Sequence, residues 1–337
     1  MAVWGGRSIW HAGDASRRGS TGWSRPVGIR VPGLFRQGGV WPGGQWCRAT
    51  LGTMTGTGSS FGVQVHSEVF QPTPGVPQVG AVLLISGADS HCTRWTSAFI
   101  QPLLDLGHSV VRYDHRDSGL SSKVPSDVGY TLADLVDDAC AVMDEHAITR
   151  AHVVGRSMGG MVGQLMALEY PDRVITLTLL CSSPGLGDES LPSAADWLVD
   201  RMAERLFAVP PASDAERVAW IVELDELFAG PRYPVATSER ISTAVAEVAR
   251  CWYPESGHGP AVNSSPSLLD RLAAITAPTL VVHGTADPVF PVEHAMALAD
   301  GIPDAGLWLV EGLGHEVPDG LVPELLDRLR EHLVGGA

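Results

Sequence analysis

The stretch Gly155-Arg156-Ser157-Met158-Gly159 constrains this chain more than any other. It follows the apolar run Ala151-His152-Val153-Val154, which reads as a buried strand. It precedes residues 160–170, which read as a helix stopped by Pro171. Strand, G-x-S-x-G and helix in that order predict a tight turn with a serine at its tip. Side chains two residues before and after that serine would collide, so glycine is needed at 155 and 159. Ser157 is then held in strained backbone, its hydroxyl exposed above a sheet and at a helix N-terminus. The bland alternative is a structural turn. The flanking strand and helix favour a nucleophile.

A serine hydroxyl is a weak nucleophile unless a base takes its proton and an acid orients that base. On such an elbow the acid and then the histidine follow the serine along the chain. Residues 278–284 read as a buried strand that runs into Thr285-Ala286-Asp287-Pro288-Val289. A helix is expected from about Val292 to Ala299, and a strand over residues 305–310, ending in Glu311-Gly312-Leu313-Gly314-His315. Asp287 and His315 thus each lie just past the C-terminal end of a strand, the edge where open parallel sheets bind ligands. Among the other histidines, His283 lies within a strand and His294 within a helix, while His115 and His258 fall in loops away from the expected strand end. The strand over residues 174–180 ends in Cys181-Ser182-Ser183 and offers no carboxylate, and Asp300 and Asp304 flank the wrong end of the next strand. Asp287 remains as the acid. It also suits an Asx-turn ahead of Pro288, and the two roles are compatible.

A tetrahedral intermediate needs donors for its oxyanion. One is the backbone N–H of Met158, the residue after the nucleophile. The other is assigned to the loop Ser86-Gly87-Ala88-Asp89, which follows the strand over residues 79–85. Gly87 lets that backbone approach the serine, and the Ala88 N–H is the candidate donor.

These motifs, with Arg112-Tyr113-Asp114-His115-Arg116-Asp117-Ser118-Gly119 and the Gly87-Ala88 loop followed by Trp95, resemble the α/β-hydrolase superfamily from about Phe61 onward. The chain looks most like the aclacinomycin methylesterase group. That resemblance implies a mostly parallel twisted sheet with helices on both faces and an inserted helical cap. It implies a serine esterase acting through an acyl-enzyme, with the methyl ester of a polyketide-like or other small apolar acid as substrate. It implies Ser157, Asp287 and His315 as the triad, with Ala88 and Met158 as oxyanion donors. The chain departs from the family in Ser86-Gly87, where His-Gly or Gly-Gly is common, and in Arg156, which is larger and more charged than the usual residue there. Two other classes use the same scaffold: a cofactor-free haloperoxidase or perhydrolase, and a ligand-binding homologue without turnover. Serine at 157 argues against epoxide hydrolase and dehalogenase chemistry, and Met158 against prolyl aminopeptidases, which typically carry Trp there.

Composition narrows the field further. A net charge of −15 disfavours nucleic acid and anionic membranes as partners. No stretch approaches the roughly 18 apolar residues of a membrane span. The five cysteines are scattered without framework spacing, which suits a reduced, cytoplasmic protein. Neither C-x-x-C nor H-E-x-x-H is present, and no G-x-G-x-x-G follows a strand, so neither a metal nor a dinucleotide cofactor is indicated. The expected partner is a small-molecule ester; the oligomeric state is not legible.

Residues 1–53 differ from the rest, with seven Arg, one Asp and five of the ten Trp. No helix or strand period is visible there. Arg17-Arg18 lacks the apolar stretch of a twin-arginine signal, and the Gly and Trp content does not suit an amphipathic transit peptide. This segment is expected to be a disordered extension, with translation beginning at Met54. Residues 54–184 are expected to form the first part of the hydrolase core. They hold an edge strand at 62–70, a helix near 95–106, a strand at 109–113, a polar loop at 114–129 and a helix at 131–146. The loop motif around Asp114 is read as structural. Residues 185–265 lose the strand–helix alternation and are expected to form the cap, with helices near 193–208, after the capping box Ser213-Asp214-Ala215-Glu216, and at 237–252. Trp197, Trp220 and Trp252 are its candidate substrate-binding residues, alongside Met202 and Phe207. Residues 266–337 complete the core.

Overall fold

Alternate residues of the strand Gly80–Ile85 (β3) belong to two separate clusters, Ala81, Leu83 and Ile85 to one and Val82 and Leu84 to the other. A strand buried on both faces needs helices on both sides. A computed structural model describes residues 53–60 and 62–335 and supplies them. The sheet has eight strands among the described residues: Thr53–Ser60 (β1), Val63–Phe70 (β2), β3, His108–Tyr113 (β4), Ala151–Arg156 (β5), Val174–Leu180 (β6), Thr279–Gly284 (β7) and Gly306–Val310 (β8). Their order is β1-β2-β4-β3-β5-β6-β7-β8, antiparallel at β1–β2 and β2–β4 and parallel from β4 to β8.

Helices Ser97–Asp105 (α1), Leu132–Glu145 (α2) and Met158–Glu169 (α3) alternate with the first parallel strands. Four more, Asp196–Phe207 (α4), Asp214–Phe228 (α5), Thr237–Arg250 (α6) and His258–Ser264 (α7), lie between β6 and β7. Val292–Gly301 (α8) links β7 to β8, and Val322–Gly335 (α9) follows. One face of the sheet carries α2, α3 and α8 through side chains such as Leu135, Val162 and Leu298. The other carries α1 and α9 through Phe99, Leu103, Leu325 and Leu329. Each such burial contributes about 1.5–3 kcal/mol relative to exposure.

Three expectations are corrected. The edge strand is β1, and the strand expected at 62–70 lies inside it as β2. Thr53 opens β1, so the boundary expected after residue 53 falls within the strand. Thr-Met-Thr-Gly-Thr-Gly-Ser-Ser has no apolar alternation, and pairing from Thr53↔Phe70 to Ser60↔Val63 makes it a strand. The expectation for residues 1–52 lies outside the described residues. His258, expected in a loop, opens α7 and is buried. No helix among the described residues is long and apolar enough to cross a membrane.

The sheet order brings the candidate residues together. β3 pairs with β4 on one side and β5 on the other, so the chain reverses its direction of travel across the sheet at β3. A crevice forms at such a switch point, beyond the C-terminal strand ends. The register Ile85↔Gly155 sets Gly87 and Ser157, each two residues on, beside one another.

Candidate active site

Ser157 has φ 53° and ψ −122°, a left-handed conformation costly for a residue with a Cβ. The neighbouring glycines permit it. A Cβ on Gly155 would strike the backbone of Gly159, and one on Gly159 would strike the carbonyls of Ile85 and Ser86. The elbow therefore packs on the end of β3 as well as on itself. The Ser157 N–H donates to Leu180 O (2.9 Å), which ties the turn to β6. Met158 is the first residue of α3, where a backbone N–H has no partner within the helix.

The Ser157 hydroxyl lies 2.9 Å from His315 Nε2, and His315 Nδ1 lies 2.7 Å from Asp287 Oδ2. With Nδ1–H donating to the carboxylate, Nε2 is left to accept the serine proton. Two loops make this alignment. The N–H groups of Thr285 and Ala286 donate to Val310 O (3.0 Å) and Leu313 O (2.9 Å), so the loop after β7 is sewn to the loop after β8. Asp287 Oδ1 accepts from the Val289 and Phe290 N–H groups at 2.8 and 2.9 Å, so the Asx-turn reading also holds. Burial pushes the Asp287 carboxyl upward, but the charge and hydrogen bond of His315, the charge of His283 and the Phe290 N–H outweigh it and hold it below the usual range. His283 donates Nε2–H to Phe290 O (2.7 Å) beneath the acid, and burial favours its neutral form. Phe228 and Phe290 stand edge-on to the His315 ring, with centroids 5.6 and 5.5 Å away.

The insertion reaches this site directly. The His315 N–H donates to Phe228 O at the end of α5 (2.8 Å). Arg94, in a short 3-10 turn after β3, holds Glu247 of α6 at 2.6 and 2.7 Å and Asp225 of α5 at 3.0 Å. Arg240 of α6 holds Glu316 at 3.0 Å. Between these elements lies a cavity of about 230 Å³, lined by Ala88, Arg156, Trp220, Phe228 and Trp252 among others.

Of the candidate tryptophans, Trp220 and Trp252 line this cavity. Trp197 is absent from its wall and is 50% exposed on α4, and Phe207 is 86% exposed. Of α4 only Leu198 is buried, and Trp197, Met202 and Phe207 do not line the cavity the sequence predicts for them. His115 and His258, rejected as bases, support the loop after β3. His115 Nε2 donates to Ser86 O (3.0 Å). His258 Nδ1 accepts from the Asp89 N–H (3.0 Å), and its Nε2 donates to Arg116 O (2.9 Å). Nothing in the local sequence marks His258 for this, because its partners come from distant segments. The structural reading of the Asp114 loop holds: its buried carboxylate accepts from the Cys92 and Leu120 N–H groups at 2.8 and 2.9 Å and forms an ion pair with Arg250 Nη1 at 2.6 Å.

Comparison with known proteins places the chain in a family. Residues 80–319 match the model of the α/β-hydrolase fold. The rhodomycin D methylesterase of Streptomyces sp. (strain C5) is 33% identical over 262 residues, covering 72% of this chain and 87% of that protein. The rhodomycin D methylesterase of Streptomyces peucetius is 32% identical with the same coverage. Among solved structures, Est816, described as an N-acyl homoserine lactone degrading enzyme, superposes with a TM-score of 0.63 at 25% identity, covering 82% of this chain and 99% of that one. This chain belongs to the α/β-hydrolase fold family.

Proposed function

We propose that the chain is a serine hydrolase of carboxylic esters, with Ser157, His315 and Asp287 as its catalytic triad. The observation that carries this is the unbroken relay from the Ser157 hydroxyl through the imidazole to a buried carboxylate, at 2.9 and 2.7 Å. Ser157 Oγ attacks the ester carbonyl carbon as His315 Nε2 takes its proton. Asp287 holds the tautomer and stabilises the imidazolium. The N–H groups of Met158 and Ala88 receive the oxyanion. The alcohol leaves with the proton from His315, giving an acyl-serine. Water, deprotonated by His315, then releases the acid and restores the serine. Residues 185–265 act as a cap between the two core segments, 53–184 and 266–337. Trp220 and Trp252 form an apolar wall for the substrate. The likeness to two methylesterases supports a methyl ester of a small apolar, polyketide-like acid as the substrate, and a cytoplasmic setting suits the scattered cysteines. No observation favours a haloperoxidase or a silent binder.

The test is a fluorophosphonate probe with a panel of methyl and p-nitrophenyl esters, run beside Ser157→Ala. The parent is expected to label on Ser157, and the variant to lose three or more orders of magnitude in turnover, roughly as triad deletions do. Equal turnover by the variant refutes the mechanism.

A further inference from the structure

Arg156 stands immediately before the nucleophile and borders the cavity together with two smaller hollows beside it. A Cβ built on Gly87 would lie 3.3 Å from Ser157 Cβ and 3.4 Å from both Nε and Nη2 of Arg156. The guanidinium and the nucleophile therefore flank one turn of backbone, the turn that leads to Ala88. Among the described residues, Arg156 makes a single hydrogen bond, from Nη2 to Ser90 Oγ (3.0 Å), and no carboxylate lies within ion-pair distance. A guanidinium has five N–H donors in a planar fork. Two carboxylates of the cavity wall, Asp225 and Glu247, are taken by Arg94. Asp225 and Glu247 together exceed the charge of Arg94, and Arg156 offsets the excess from a distance. That role uses none of its remaining donors.

From this we infer that Arg156 is the anion-binding element of the substrate pocket, and that the favoured ester carries a carboxylate or similar oxyanion near its scissile carbonyl. The inference rests on the ester-hydrolase reading above and adds the substrate's charge to it. Burial works against the charged form of Arg156, the like charge of Arg94 adds to this, and an anion placed on the fork relieves both. Arg binds a carboxylate through two parallel N–H···O bonds, a geometry Lys does not reproduce. The tryptophan wall would take an apolar body attached to the anion.

The test compares p-nitrophenyl hydrogen glutarate, anionic at neutral pH, with neutral p-nitrophenyl hexanoate. The parent is expected to prefer the glutarate in kcat/KM. Arg156→Met is expected to lower the glutarate-to-hexanoate ratio at least tenfold, mainly through KM, and Arg156→Lys to recover part of it. No preference in the parent, or a ratio in Arg156→Met within twofold of the parent's, overturns the inference. Fluorophosphonate labelling of each variant reports that the elbow is intact. If the parent neither labels nor cleaves either ester, the hydrolase reading fails. Glutarate binding to Ser157→Ala, followed by tryptophan fluorescence, then decides on the anion site alone: binding lost in the Ser157→Ala, Arg156→Met double variant supports it, and binding unchanged there refutes it.

Discussion

At the elbow, backbone is packed on backbone; in the helical insertion, side-chain ion pairs hold one helix to another and to the core. Gly155 and Gly159 leave no room for a methyl group, and the strained Ser157 is hemmed in by β3 and β6. The α5–α6 pair instead meets the core through the ion pairs of Arg94, Arg240 and Arg250 and a backbone bond to His315. The rigid half suits atoms that must meet a reacting carbon within a fraction of an ångström. The ion-paired half suits a wall that varies with the substrate. Loops and insertions on a fixed scaffold commonly divide the work in this way.

The contrast can be broken from the rigid side first. Gly159→Ala drives a methyl into the carbonyls of Ile85 and Ser86, and a loss of about 3 kcal/mol or more is expected, with fluorophosphonate labelling abolished. An unchanged urea midpoint would mean that the elbow has slack the geometry denies. At the junction, Arg94→Met leaves Asp225 and Glu247 facing each other without their cation. A cost of about 2–4 kcal/mol is expected, together with a raised KM as α5 and α6 loosen from the cavity. A normal midpoint with normal KM would show that apolar packing, not charge, seats the insertion. The smallest effect belongs to the outer insertion. Arg201 pairs with Glu204 and Glu223 among exposed side chains, so Arg201→Ala is expected to cost about 0.5 kcal/mol or less and to leave turnover unaltered. A larger loss would place α4 among the elements that shape the pocket.

Much of the rigid half is legible in the sequence. β5, β7 and β8 are short apolar runs ending in loops with few polar choices, so Ser157, Asp287 and His315 could each be picked from their own neighbourhoods. β1 escaped because its eight residues lack alternation and its strand character comes from β2. In the insertion, the capping box at Ser213 marked the start of α5, yet the facing of α4 could not be read, and Trp197 was assigned to a pocket it does not line. A helix rich in apolar residues on more than one side does not declare which side will be covered.

The sequence by itself determined the class of fold, most strands and helices of the core, and the candidates Ser157, Asp287 and His315. Those follow from local periodicity and from turns that admit few residue types. Tertiary structure alone decided that β3 lies between β4 and β5, which brings the Ala88 loop to Ser157. It also decided that Trp220 and Trp252 face the cavity while Trp197 does not, and that Arg94 takes both carboxylates and leaves Arg156 without one. Such outcomes depend on which distant surfaces meet, and the interactions that choose among them act between segments with no pattern in common.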